Sequence, residues 1–163
     1  MKKEMTEQEA YLQLAAICAQ AEHCQQEMHD KMKRWGLDET VRQRVVDRLV
    51  RERYVDDERY ARAYVKDKIR YQKWGRRKVQ QGLWQKHIAE SIQQQVLSEI
   101  DDEEYLTVLK PLLKQKRKTT KAQSDYELNQ KLLRFALGRG FTFDIIRQCL
   151  DVDEEPDFAD ETD

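Results

Sequence analysis

Few residue types in this chain could do chemistry, and most of those are charged. Acidic pairs recur at Asp56-Asp57 and Asp101-Asp102, which could hold a divalent cation or divide acid and base roles. Each pair sits in a similar context, Val55-Asp56-Asp57-Glu58-Arg59-Tyr60 and Ile100-Asp101-Asp102-Glu103-Glu104-Tyr105. The first aspartate of each suits an N-cap, accepting from orphan amides and favoured by the helix dipole, so capping is the preferred reading. His23, Cys24 and His29 lie close in sequence, but steps of one and five do not put three ligands on one helical face. Gly75, Gly82, Gly138 and Gly140 match neither GxGxxG nor GxxxxGK[ST], and none of the serines at 91, 98 and 124 sits in a GxSxG elbow. The reading is non-enzymatic, with no metal and no cofactor.

Binding is the chemistry left. The chain is −1 overall, yet Asp151 to Asp163 alone carries −8, so residues 1–150 carry the difference, +7. From Arg59 to Ala89 ten Lys or Arg face only Asp67, and from Lys110 to Lys121 six bases face no acid. The candidate partner or DNA contacts are Arg59, Arg62, Lys66, Arg70, Lys73, Arg76, Arg77 and Lys78 in the first block. Lys114, Lys116, Arg117, Lys118 and Lys121 are those of the second. Lys66, Arg70 and Lys73 follow a 4-then-3 step on one helical face. Arg76, Arg77 and Lys78 open the next helix, where the dipole disfavours cations. Tyr60, Tyr64, Tyr71, Trp74 and Trp84 interleave with these bases. The three tyrosines share a helical face, which places most of these aromatics in the core. Such a surface can grip phosphates or a negatively charged protein groove, and its spacing does not separate the two.

The elements that must position these residues come in a repeat. Met28, Met32, Gly36, Leu37 and Val41 form one series; Val79, Leu83, His87, Ile88 and Ile92 a second; Leu132, Ala136, Gly140, Phe141 and Ile145 a third, offset by 51 and 53. Apolar residues four apart share a helix face, the glycine ends the helix at positive φ, and the next apolar residue enters the core. His87 stands where the other copies have glycine, so a strained or different turn is expected there. The fold class is all-α, an elongated, curved array of three tandem three-helix repeats with about nine helices. The repeats span 6–53, 54–99 and 100–151, and an acidic tail expected to be disordered follows at 152–163. Helices are predicted near 6–20, 24–35, 38–52, 56–73, 75–86, 89–99, 101–118, 124–138 and 142–151, with Pro111 set to kink or split the seventh.

Hydrophobic residues make up 39% and charged residues 37%, a high surface share that fits a repeat body. There is no apolar run of 18, Met1-Lys2-Lys3-Glu4 opens no signal-peptide segment, and Cys18, Cys24 and Cys149 form no CxxC. A cytosolic monomer, away from membranes, is expected.

Three blocks then become familiar: Val55-Asp56-Asp57-Glu58-Arg59-Tyr60-Ala61-Arg62, Lys73-Trp74-Gly75-Arg76-Arg77-Lys78-Val79, and Leu132-Leu133-Arg134-Phe135 leading to Arg139-Gly140-Phe141. In order and spacing, over roughly residues 6–151, they resemble the RecX family. Two departures are local. Cys24-Gln25-Gln26-Glu27-Met28 replaces the usual Ser-x-x-Glu-Leu, and His87 replaces a glycine, with no acidic residue near Gly82. The resemblance implies a curved helical array in the groove of a RecA–DNA filament, inhibiting strand exchange, ATP hydrolysis and co-protease activity without catalysis of its own. Two other readings of the residues stand beside it, a stand-alone DNA-binding helical module and a helical adaptor without nucleic-acid contact.

Overall fold

The computed structural model describes residues 4–156, and among them the chain forms nine α-helices and no strand. The first three are α1 (Glu7–Gln20), α2 (Gln25–Arg34) and α3 (Glu39–Arg51). The second copy supplies α4 (Asp57–Arg70), α5 (Arg76–Gln85) and α6 (Glu90–Ser98). The third supplies α7 (Asp102–Thr119), α8 (Asp125–Gly138) and α9 (Phe143–Ile146).

Five starts are set by side-chain caps. Thr6, Asp38, Asp56, Asp101 and Ser124 accept from the amides of Glu9, Val41, Arg59, Glu104 and Glu127 at 2.9–3.1 Å. Each such cap contributes ~1 kcal/mol. Val55 and Tyr60, flanking the Asp56 cap at N′ and N4, are both buried, as a hydrophobic staple requires.

The second helix of every copy ends the same way. Gly36, His87 and Gly140 have φ of +82°, +58° and +95°. The next amide reaches back to the last turn, Leu37 to Met32, Ile88 to Leu83 and Phe141 to Ala136, at 3.1–3.2 Å. His87 therefore makes the same left-handed turn as its glycine counterparts and bears the Cβ strain that they avoid.

The packing divides differently from the repeat. One compact unit comprises Met1–Tyr64 with Leu83–Val96, the other Val65–Gly82 with Leu97–Asp163, so the second copy is shared between them. In the first unit α3 packs on α1 and α2. Its core holds Leu14, Met28, Met32, Val46 and Leu49, all at zero exposure. In the second unit α7, α8 and α9 pack on one another, burying Leu109, Leu132, Leu133, Phe141 and Ile146.

Three expectations change. α9 is one turn long rather than spanning 142–151, because beyond Ile146 the amides of Gln148 and Cys149 reach only three residues back, a tightened ending that still buries Leu150. α7 runs unbroken through Pro111, which sits on its exposed side. Tyr71 and Trp84 are 76% and 73% exposed: α4 stops at Arg70, so the helical face extrapolated to Tyr71 ends before it. Of the acidic tail, Val152–Pro156 lines a cavity with Asp125 and Tyr126 of α8, and residues 157–163 fall outside the described residues.

Candidate anion-binding surface

The cations of the second unit are placed by two interlocked turns. Gly75, the residue before α5, donates its amide to the carbonyl of Arg139 at 2.8 Å, and Arg77 donates to the carbonyl of Gly140 at 2.9 Å. The α8–α9 turn thus supplies the cap that α5 lacks in its own side chains. The fit needs glycine on both sides. A Cβ on Gly75 would land on the backbone of Phe141, and one on Gly140 on the backbone nitrogen and Cβ of Lys78. The Arg139 guanidinium closes the joint from above, donating to the carbonyls of Gln72 at 2.5 Å and Lys73 at 3.3 Å.

Around this joint the basic blocks meet. Lys68 and Lys78 place their ammonium groups 5.0 and 4.8 Å from the centre of the Trp74 ring. Lys116 stands 4.8 Å from the Phe135 ring and Arg139 6.0 Å from it. Phe135 and Arg139 therefore link the Lys116 block to the Lys73 carbonyl, joining stretches more than 40 residues apart. Arg76, Arg77 and Lys78 open α5 with no acid in its first turn. Because the Gly75 and Arg77 amides are already bonded, a bound anion would be held there by side chains rather than by those amides. Arg77 also meets Glu155 at 3.5 Å. Lys66 and Arg70 flank a slot of about 180 Å³ between α4 and α7, floored by Ile69, Ile100 and Val108.

The remaining candidates are placed as follows. Arg117 donates to Asn129 at 3.2 Å, and the carbonyl of Lys121 accepts from Lys131 at 2.7 Å. Lys114 and Lys118 are exposed on α7. Arg59 and Arg62 fall in the first unit. Arg59 grips the Glu22 carboxylate at 2.7 and 2.8 Å and the carbonyls of Arg53 and Tyr54, closing the end of α3. Its charge is held firmly, the Glu22 hydrogen bond raising its pKa. Arg62 pairs with Glu58 at 3.2 Å.

Sequence reasoning missed Lys68 and Arg139 as members of the surface. Lys68 reaches Trp74 around the end of α4, a contact no helical spacing encodes. Arg139 had a signal, its place in the third motif, but nothing in that motif says which turn it covers.

The acidic pairs are structural in an asymmetric way. Asp56 caps its own helix, whereas Asp57 accepts from the backbone amide of Gln25 at 2.9 Å and its side-chain amide at 3.3 Å, capping α2. Burial raises the Asp57 pKa, opposed by the Gln25 amide. Cys24, next to this cap, is buried, and desolvation pushes its thiol to about 12. Its Sγ lies 3.9 Å from the carbonyl of Lys86, and Lys86 itself pairs with Glu27 at 3.4 Å. Here the α5–α6 turn sits on the start of α2 as the α8–α9 turn sits on the start of α5. Among the described residues no cluster of three His, Cys, Asp or Glu could share an ion, and no helix is long and apolar enough to cross a membrane.

Fold and surface define an all-α protein of tandem three-helix repeats with cations clustered on its second unit. Residues 10–49, 56–97 and 102–150 match the first, second and third three-helix domains of RecX. The chain is 30% identical over 151 residues to the regulatory protein RecX of Vibrio parahaemolyticus, covering 93% of this chain and 94% of that one. It is 37% identical over 122 residues to the regulatory protein RecX of Clostridium perfringens strain SM101, covering 74% of this chain but only 57% of the relative. The chain belongs to the RecX family. Two solved structures share the fold: RecX from Lactobacillus salivarius, with TM-score 0.76 and 19% identity over 88% of this chain and 93% of that one, and a regulatory protein RecX, with TM-score 0.82 and 21% identity over 90% and 73%. The clostridial relatives extend well beyond the aligned part, this chain spanning under three-fifths of their length.

Proposed function

We propose that this chain is a non-catalytic regulator that lodges in the groove of a RecA–DNA filament and restrains its recombinase, ATPase and co-protease activities. The observation that carries the reading is the meeting of two separate basic blocks around Trp74 and Phe135 on one unit, held by a turn-on-turn lock. Family membership supplies the regulatory role. The repeat body suits a helical polymer, since several weak contacts along it add through effective concentration.

Charge makes the reading testable. Acids at 76 and 77 gain about 0.3–1 kcal/mol each from the α5 dipole, which offsets a similar cost of an acid at 70 in the last turn of α4. The quadruple variant Arg70→Glu, Lys73→Glu, Arg76→Glu, Arg77→Glu should abolish inhibition of RecA-dependent ATP hydrolysis on single-stranded DNA while the circular-dichroism melt stays in place. Inhibition at the native level by that variant overturns the proposal. Binding to naked DNA as tight as to the filament, with log affinity falling against log salt at a slope of about −3 to −4 for ~4 phosphates, would favour the stand-alone DNA module instead.

A further inference from the structure

The most acidic stretch of the chain begins where its cationic surface is anchored. Residues 151–163 carry eight acids and no base. The stretch leaves the buried Leu150 and is held at once, the carbonyl of Asp151 accepting from Asn129 at 3.4 Å. Five residues after Leu150, Glu155 reaches the guanidinium of Arg77 in the first turn of α5. Arg77 is flanked there by Arg76 and Lys78, with no acid of α5 to balance them. The pair is half-exposed and contributes little alone. Its significance is tethering: a carboxylate five residues from a fixed anchor faces the cation at an effective concentration in the millimolar range, and further acids follow it in sequence.

We propose that the acidic segment beginning at Asp151, which reaches Arg77 through Glu155, is an intramolecular competitor for the cationic surface of the second unit that a phosphate polyanion displaces. The proposal rests on that surface being the binding face described above, and it adds a threshold. A weak or short polyanion fails to displace the tail, while one presenting many phosphates in register succeeds. The segment thereby suppresses indiscriminate binding without lowering the charge of the face itself. Screening removes the competition, because both attractions fade as the Debye length falls to ~4 Å near 0.5 M salt.

The test uses the full-length chain with seven carboxylates neutralised: Asp153→Asn, Glu154→Gln, Glu155→Gln, Asp157→Asn, Asp160→Asn, Glu161→Gln and Asp163→Asn. Fluorescence anisotropy with a labelled single-stranded oligonucleotide should show the neutralised chain binding roughly three- to tenfold tighter at low salt, the gap closing by ~0.5 M. A synthetic peptide of residues 151–163, added in trans, should displace the oligonucleotide from the neutralised chain. Equal affinity of the two chains at low salt overturns the proposal, as does a peptide that leaves the oligonucleotide bound, or failure of both chains to bind it. If tighter binding appears but neither chain inhibits RecA, the competitor stands and the filament reading falls.

Discussion

Alanine at Gly140 and at Gly36 makes a matched pair of perturbations. Both glycines follow the second helix of a copy, both have positive φ, and both carry the same backward hydrogen bond from the next residue. An L-residue in this region costs about 1–2 kcal/mol, and at Gly36 the cost ends there, since an added Cβ meets nothing within 4 Å. At Gly140 the same methyl falls on the backbone nitrogen and Cβ of Lys78, which no rotamer change can move. Overpacking of this kind adds about 1–3 kcal/mol. Relief by backing the turn away gives up the bonds from the Gly75 and Arg77 amides, each worth about 0.5–1.5 kcal/mol net. The expected losses are ~1–2 kcal/mol for Gly36→Ala and ~2–5 kcal/mol for Gly140→Ala, from the urea midpoint by far-UV circular dichroism. Hydrogen exchange supplies the residue-level readout, with the Gly75 and Arg77 amides protected in Gly36→Ala and losing protection in Gly140→Ala. Losses that agree within ~0.5 kcal/mol, or unchanged protection of those two amides, would refute the idea that the turns are locked together.

His87→Gly should stabilise the protein by about 1 kcal/mol, because it removes the Cβ penalty at φ +58° from an exposed side chain; an unchanged or lower urea midpoint contradicts this. Asp57 gives an inverted pH dependence. With its folded pKa raised above the ordinary 3.8, its contribution to stability is full below that pH and is lost as pH rises through the folded value. Asp57→Asn keeps an acceptor for the Gln25 amide and flattens this limb, so the native protein should lose stability relative to the variant between pH 3 and 7. A constant difference across that range sinks the assignment.

The periodic part of the architecture was legible in the sequence. Met28, Val79 and Leu132 face the core from equivalent turns, and Gly36, His87 and Gly140 end those helices, because both signals depend only on neighbours within five residues. The caps at Asp56 and Asp101 were legible for the same reason. What spacing could not express was contact between copies. Asp57 looks like the twin of Asp56, yet its acceptor serves a helix that begins 32 residues earlier. Arg139 looks like a surface cation of α8, yet it spends its donors on the carbonyls of Gln72 and Lys73. The exposure of Tyr71 was misjudged because a helical face was extended past the residue at which α4 stops, and that of Trp84 because its place inside α5 does not say which face it takes.

In the first two copies the second helix opens at Gln25 and Arg76, 51 residues apart, and in each a turn from the following copy rests on the opening residues. α8 instead opens at Asp125, about a turn earlier than that register allows. It is sealed by Ser124 accepting from Glu127 and by the Glu127 carboxylate taking the amide of Gln123. The opening of α8 is thus capped by its own side chains, where that of α5 is capped by a turn of the next copy. The dependence has a direction: excision of the third copy would strip the cap from the helix that bears Arg76, Arg77 and Lys78. The copies share an ancestor's pattern without being exchangeable parts.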